Sequence, residues 1–338
     1  MAVEPLAAPV VSVSEPRTDK LLIDATRPFA VENRAASWWY LVSTMAILAL
    51  FTAVAALAPW SPLRAVSSLL AGLVVVRGFI LYHDAMHGAL LRNSRVARAL
   101  FYVYGVLVLN PPNVWRQTHN YHHAHTAKIV GSHVGSYAML TTDMWAKTPR
   151  LYRALYKITR HPITILSGYL TIFLYGMCAA SFLRNPRKNW DSLVALVVHG
   201  GLLFVLWHFY GPAMAAFTLV IPLTVACAAG GYLFYAQHNF PDIHVQPRET
   251  WSYTRAALES SSYMVTGPIM GWFTGNIGYH HVHHLNPSIP FYRLPEAMAA
   301  IPELQNPGVT SLSPSDIVAC FRLKLWDPAQ QRMVGYPT

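Results

Sequence analysis

The chain has 338 residues, of which 54% are hydrophobic and 12% charged, with a formal net charge of +10. Soluble globular domains carry about 25% charged residues. Uncharged runs cover residues 35–63, 161–183 and 192–241, and a spanning helix needs only about 20 apolar residues. The composition therefore excludes a soluble globular enzyme and predicts a polytopic membrane protein.

The sequence predicts three regions along the chain. Residues 1–34 lack hydrophobic periodicity and a signal-peptide pattern, so we expect a flexible cytoplasmic tail. Residues 35–300 form the predicted membrane domain, and residues 301–338 a cytoplasmic C-terminal tail. The expected fold class is an all-α membrane protein, with about four transmembrane helices and a cytosolic helical cap that holds a histidine-rich di-metal site.

The four expected transmembrane helices are defined by apolar runs with aromatic or proline-rich ends. They lie at about 38–58, 65–82, 192–208 and 213–235. The run at 161–183 is also long enough to cross, but basic residues flank it on both sides. Because Lys and Arg concentrate in cytoplasmic loops, we expect this run to be embedded without crossing.

Clustered histidines are the feature of the sequence that indicates a metal site. Ten of the 16 histidines fall in three short stretches. Eight of these have i, i+3 and i+4 spacing, which places side chains on one helix face. They are His83 and His87, then His119, His122 and His123, then His280, His283 and His284. All three clusters lie on the predicted cytoplasmic side, at the membrane boundary, so they predict one metal site there.

The number of ligands favours two metal ions. Eight well-phased histidines exceed the four positions of a tetrahedral zinc, while imidazole alone suits zinc, copper, iron and nickel alike. A zinc peptidase would have Glu after the first histidine of an i, i+4 pair, where this chain has Asp84. Asp84 is expected either to orient a ligand or to be an ordinary exposed carboxylate. His199 and His208 lie within a predicted span and are expected to be packing residues.

The three clusters resemble the histidine boxes of the integral-membrane fatty acid desaturases. The residues that carry the resemblance are His83-Asp-Ala-Met-His87, His119-Asn-Tyr-His-His123 and His280-His-Val-His-His284. The stretch Gly275–Leu285 and the following Ile289–Leu294 are similar to acyl-lipid desaturases of the Δ12 and ω3 type. The resemblance covers about residues 38–300.

The resemblance implies a non-haem di-iron centre that uses O2 to remove two hydrogens from adjacent methylenes. It also implies a ninth ligand after the last span, a place that His238 occupies. Candidates for a role beside the ligands or the substrate are Asp84, His125, Asn276 and His281. Two iron ions are the expected cofactors, and no separate protein acid or base is assigned.

The expected partners are a fatty acyl lipid substrate, the membrane, and a ferredoxin or cytochrome b5-type electron donor. No nucleic acid partner is expected, and the sequence leaves the oligomeric state open. An acyl hydroxylase, an epoxygenase or a carotenoid-modifying oxygenase would use the same di-iron site. A non-enzymatic membrane metal carrier is a more distant alternative, because its ligands would sit near the bilayer midplane within internal repeats. The expected location is a bacterial inner membrane with the metal site on the cytoplasmic side.

Overall fold

The computed structural model describes residue 17, residues 19–130 and residues 134–337. The α-helices are, in chain order, α1 (Asp19–Thr26), α2 (Arg34–Leu57), α3 (Ser61–His87), α4 (Arg95–Leu107), α5 (Pro112–Ala124), α6 (Thr142–Lys147), α7 (Arg150–Thr159), α8 (Pro162–Leu166), α9 (Ser181–Arg184), α10 (Trp190–Tyr210), α11 (Pro212–Ala215), α12 (Ile221–Ala236), α13 (Tyr253–Glu259), α14 (Gly267–Phe273), α15 (His280–Leu285), α16 (Leu294–Ala300) and α17 (Pro314–Arg322). Wider π-helical turns cover Tyr169–Ala180 and Ala216–Val220, and 3-10 turns cover Arg27–Ala30, Phe291–Arg293 and Pro302–Leu304.

Short strands join distant parts of the chain. They are β1 (Leu140–Thr141), β2 (Tyr263–Val265), β3 (Val309–Ser311), β4 (Leu325–Asp327) and β5 (Arg332–Val334). One sheet has the order β1-β4-β5, with β1 parallel and β5 antiparallel to β4. In the second sheet, β2 pairs with β3 in parallel. The fold is nevertheless mostly helical, as the sequence predicts.

Four helices are long and apolar enough to cross a membrane, which confirms the predicted number among the described residues. They are α2, α3, α10 and the continuous Pro212–Ala236, which contains α11 and α12. Helix α3 packs between α2 and α12. Its most apolar stretch is 67% buried, against 17% to 28% in the other three helices. Helix α3 is therefore the axis of the bundle, and the outer faces of the other three are left for lipid.

The run at 161–183 is broken into α8, the π-helical Tyr169–Ala180 and α9. Its longest apolar helix, Tyr169–Arg184, is shorter than the four spanning candidates. It packs against α10 and α12, and Tyr169 Oη lies 2.7 Å from His199 Nε2. That this segment is embedded without crossing stays a prediction.

Both predicted tails contain folded structure. Within residues 1–34 the structure describes α1 and the 3-10 turn, and Leu22 and Thr26 are buried against the rest of the fold. At the other end, β3, α17, β4 and β5 pair with or pack on earlier elements. Residues 19–30 and 301–337 are thus ordered and packed on the rest of the fold, and the division of the chain into these three regions stays a prediction. Short, proline-rich segments without periodicity look like tails in sequence because their partners are distant in the chain. Residues 1–16 and residue 18 of the predicted N-terminal tail lie outside the described residues.

Candidate metal centre

Helix α3 carries the first histidine pair on its last turn. His83 and His87 are one turn apart, with ring centroids 4.7 Å apart. The helix stops immediately afterwards, because Gly88 adopts the left-handed conformation with φ 77°, as a C-terminal glycine commonly does. The apolar helix thus delivers two imidazoles at the end of the bundle.

Helix α5 carries the second cluster and is anchored at its N-terminus. Its N-terminus has no side-chain cap of its own. Instead, the Asn113 amide donates to Asp191 Oδ2 at 2.7 Å, from the first turn of α10. Further along, Trp115 stacks on His119 with ring centroids 4.2 Å apart. The spacing then turns His119, His122 and His123 inward, and all three are buried.

Helix α15 supplies His280, His283 and His284, which are all buried. His238 follows α12 directly and reaches the same place. Its Nε2 lies 2.9 Å from His280 Nε2 and 3.0 Å from His122 Nε2. The residue that the resemblance implied as a ninth ligand therefore lies among the histidines of the second and third boxes.

The nine histidines form two groups that could each hold a metal ion. One group combines His83, His87, His119, His123 and His283, and the other combines His122, His238, His280 and His284. The groups cut across the boxes, because adjacent histidines on α5 and on α15 are rotated about 100° from each other within the inward face. Each metal position would therefore join several helices, and neither could form from one helix alone.

The spacing of the nitrogens fits metal ions in both groups. The Nε2 atoms of His119 and His123 are 3.0 Å apart, and those of His280 and His284 are 3.1 Å apart. With metal–imidazole bonds of about 2.1 Å, ligands at right angles have nitrogens about 3 Å apart. The Nε2 of His87 is buried without a protein partner. An ion in each group would satisfy these nitrogens.

The cluster is built to be uncharged. Burial, together with the neighbouring imidazoles, holds the pKa values of His119, His122, His123, His280, His283 and His284 well below their usual range. Burial also lowers the pKa of His238 to about 4. Neutral imidazole is the form that binds metal, so these side chains are ready to bind at neutral pH.

Comparisons with known proteins agree with this geometry. The family model described as fatty acid desaturase matches residues 59–313. This chain is a member of the fatty acid desaturase family. It is 32% identical over 271 residues to a fatty acid desaturase of Bacillus subtilis, covering 78% of this chain and 74% of the relative. It is also 23% identical to an sn-1 oleoyl-lipid 12-desaturase of Picosynechococcus, over 80% of this chain and 77% of the relative.

Another relative is an sn-1 acyl-lipid omega-3 desaturase (ferredoxin) of Nostoc. It is 24% identical to this chain, over 66% of this chain and 63% of the relative. The recognition of the family from the three boxes is thereby confirmed. Membership makes this fatty acid desaturase an oxidoreductase, and its histidine groups match a metal-dependent family.

Asp84 lies where it can orient a ligand of this desaturase. His83 Nδ1 is 2.9 Å from Asp84 Oδ1, and the amide of Phe291 donates to Asp84 Oδ2 at 2.7 Å. The Asp84 carboxylate is buried, so it is not an ordinary exposed carboxylate. With Nδ1–H donated to Asp84, His83 presents Nε2 to the metal position. Such partners of ligating histidines commonly contribute 10- to 100-fold to metal affinity, as an order-of-magnitude figure.

Thr126 has a similar orienting role, which was not predicted from the sequence. Its hydroxyl donates to the carbonyl of His122 at 3.0 Å and accepts from His284 Nδ1 at 3.1 Å. His238 is held in the same way, because its Nδ1 donates to the carbonyl of Ser260 at 2.9 Å. A threonine four residues after a box histidine was the available sequence signal for Thr126. No sequence signal points to the Ser260 carbonyl as a partner of His238.

The other candidates lie outside the two groups. His125 stacks on Tyr121 with ring centroids 3.9 Å apart, and the Nε2 of the buried His281 bonds to the Leu304 carbonyl at 3.0 Å. Asn276 Nδ2 donates to the Phe291 carbonyl at 3.3 Å. Because Asp84 holds the amide of the same residue, Asn276 acts on His83 only through Phe291. His199 and His208 lie in neither group, while His133 lies outside the described residues.

Proposed function

We propose that this protein is an oxygen-dependent di-iron desaturase that introduces a double bond into a fatty acyl chain of membrane lipid. The observation that carries the proposal is the two groups of five and four neutral histidines at the end of an apolar bundle. Zinc prefers four ligands in a tetrahedron, whereas nine imidazoles suit two ions of higher coordination number. Two iron ions are the proposed cofactors, and O2 is the co-substrate.

In the proposed enzyme, the nine histidines would hold two iron ions, which would supply the oxidation of unactivated C–H bonds by O2. Asp84, Thr126 and the Ser260 carbonyl each fix the Nδ1 proton of one ligand. Burial of the boxes excludes bulk water and keeps the imidazoles neutral. His125, Asn276 and His281 are assigned no contact with the metal ions.

An apolar cleft offers a place for the chain of the substrate. It has a volume of about 310 Å³ and lies between α3, α12, α14 and α17. Val76 and Leu233 line it; Val76 precedes His83 on α3, and Leu233 lies near the end of α12, just before His238. A methylene chain has no polar handle, so an almost wholly apolar cleft is suited to bind it.

The protein is proposed to lie in a bacterial inner membrane with the metal site at the cytoplasmic side. Helix α7 supports a lipid boundary beside the cap, here meaning residues 88–160 and 237–337 as far as they are described. Its apolar Leu151, Leu155 and Ile158 are exposed, while Arg153 and Lys157 lie over the ring of the buried Trp145. A helix with exposed apolar and basic side chains suits a membrane surface. The basic loops suit the cytoplasmic side.

The relatives' names favour double-bond formation towards the methyl end of the chain. They include a 12-desaturase and omega-3 desaturases that act on acyl lipids. We propose the same substrate class here. Hydroxylation or epoxidation starts with the same hydrogen abstraction and is the second candidate. The placement of the neighbouring methylene decides between them.

The first prediction concerns the product and the metal. In a host that makes only saturated and monounsaturated lipids, expression should yield a new double bond in acyl lipids, dependent on O2. Purified protein should contain about two irons per chain. His122→Ala should abolish the product, whereas His208→Ala should not, because His208 stacks on the exposed Phe204 of a spanning helix. Gas chromatography with mass spectrometry measures the acyl-chain product, and elemental analysis measures the iron content.

Three results would contradict the proposal in different places. Hydroxy or epoxy acids would make the protein an oxygenase with the same metal centre. Modified carotenoids with unchanged acyl chains would refute the substrate class. One zinc per chain after iron-replete expression would refute the di-iron assignment.

A further inference from the structure

The chain around the second histidine box has a one-sided charge. Between Asp84 and Asp143 no acidic residue occurs. The cations of this stretch are Arg92, Arg95, Arg98, Arg116 and Lys128. The four arginines are exposed, and no carboxylate of the described residues forms a salt bridge with them. Their positive field is therefore available to an outside partner.

Two of these arginines flank a single candidate ligand. The side chain of Arg92 runs over Gly88, whose added Cβ would meet Arg92 Cδ at 4.0 Å. On the other side, Arg116 Nη2 lies 3.9 Å from Met86 Sδ. Met86 and Gly88 are the sequence neighbours of His87. Arg34, also exposed, donates to the Arg92 carbonyl at 3.1 Å and extends the positive surface towards α2.

His87 is also where the metal site comes closest to the surface in this region. Seven of the nine histidines are buried, and His87 is the partly exposed member of the five-histidine group. Glu32 is the acidic residue at the edge of this surface, and its Oε1 accepts from the Leu91 amide at 2.6 Å. That hydrogen bond leaves the arginines to dominate the local field.

We propose that the surface formed by Arg34, Arg92 and Arg116 around His87 docks a small acidic electron-transfer protein. The proposal rests on the proposed desaturation. Forming one double bond releases two hydrogens, and reducing one O2 to two waters takes four electrons and four protons. The substrate supplies two of each. The remaining two electrons come from two successive one-electron donations by the partner, and two protons come from solvent.

The partner that this surface fits is a carrier with a carboxylate-rich face around its redox group. Opposite charges accelerate the encounter by about 10- to 1,000-fold at low salt. Transient redox complexes bury less than about 1,200 Å², so a few arginines beside one ligand suffice. Docking over His87 places the carrier against the most accessible member of the five-histidine group, without displacing any ligand.

The test uses full-length, iron-loaded protein in nanodiscs of neutral lipid. Reduced plant-type [2Fe–2S] ferredoxin, which has an acidic surface, is mixed with the desaturase under argon. Stopped-flow absorbance then measures oxidation of the ferredoxin. Arg92→Glu combined with Arg116→Glu should lower the second-order rate constant about tenfold or more at low salt. The difference should shrink at high salt, because salt screens exposed charges.

The matched control is Arg322→Glu combined with Arg332→Glu, which makes the same change of net charge at exposed positions of α17 and β5. It should react like the wild type. Equal loss in both double variants would reduce the effect to net charge and overturn the proposal. Failure of the ferredoxin to reduce the wild-type desaturase would also overturn the proposal. A defect seen only in nanodiscs with anionic lipid would assign the arginines to lipid headgroups instead.

Two further measurements separate docking from the reaction. Iron content, and reduction of the centre by dithionite, should be the same in all three proteins. Otherwise, the substitutions have damaged the site rather than the surface. Dithionite-reduced wild type is then given O2 and lipid substrate. If no double bond forms in that single turnover, the proposed function fails, while the ferredoxin rates still decide the docking proposal.

Discussion

At the scale of single residues, the candidate ligands could be found from the sequence, whereas the residues that orient them could not, apart from Asp84. The i, i+3, i+4 spacing turns three imidazoles to one face of α5, and that rule needs no tertiary information. Thr126 contacts His284, which lies 158 positions away in the chain. Its role depends on how α5 meets α15, and no local pattern encodes that meeting. Asp84 was found because it stands inside a box.

The second prediction follows from the two hydrogen bonds of the Thr126 hydroxyl. Thr126→Val keeps the shape but removes the acceptor for His284 Nδ1–H, so the ring can turn and its ligand nitrogen is no longer fixed. We expect the apparent iron affinity of one site to fall about 10-fold or more, with the helical fold retained. Competition with a chelator measures it. Thr126→Ser, which keeps the hydroxyl, is the matched control. If Val and Ser behave alike, the hydroxyl does not position His284.

At the scale of elements, close contact with α3 decides where the third box sits. Gly275, in the connection from α14 to α15, has φ 52°, and a Cβ there would lie 2.9 Å from Ile80 Cγ2. The glycine therefore serves both a left-handed backbone and a close approach to the central helix. The sequence shows the glycine only as part of the family motif. Its packing partner, on a helix about 200 positions earlier in sequence, follows from the fold.

The third prediction is that Gly275→Ala destabilises the protein and lowers its iron content. Strain in the left-handed region costs about 1–3 kcal/mol, and Ile80 or the connection must also shift. Gly201→Ala is the matched control, because a Cβ at Gly201 in α10 meets nothing within 4 Å. Thermal unfolding in detergent and metal analysis should show a loss for Gly275→Ala alone. A similar loss in both variants would mean that any added methyl disturbs the bundle.

At the scale of the whole molecule, the number of spanning helices was predictable because apolar length is a local property. The strand pairing that closes the cap was not predictable in this way. The strands that join Leu140 to Leu325 and Tyr263 to Val309 are two or three residues long, too short for an alternating pattern to reveal. Buried polar contacts complete the closure. Lys324 Nζ donates to the Arg160 carbonyl at 2.7 Å, and Tyr156 Oη donates to the Lys324 carbonyl at 2.6 Å.

The last prediction uses Lys324 to detect this closure. Burial, and then the nearby Arg160 guanidinium, lower the pKa of the Lys324 ammonium from 10.5 to about 8 in the folded protein. Between pH 8 and 10.5 the unfolded chain therefore binds more protons at this lysine than the folded one does. Because stability rises with pH wherever the unfolded state holds more protons, this lysine makes the folded state relatively more stable as pH increases through that range.

Lys324→Met keeps most of the stem and removes the titrating group, so its stability should lack this component. The midpoint of thermal unfolding of wild type, minus that of Lys324→Met, should become more positive from pH 8 to pH 10. Tyr156 and Tyr235, which face the same cluster, are present in both proteins, so their titration cancels in the difference. Lys128→Met is the control, because Lys128 lies over the Trp251 ring, far along the chain from the closing segment. A difference that stays flat for Lys324→Met would mean that the lysine is solvated, and that the C-terminal segment does not close over Arg160.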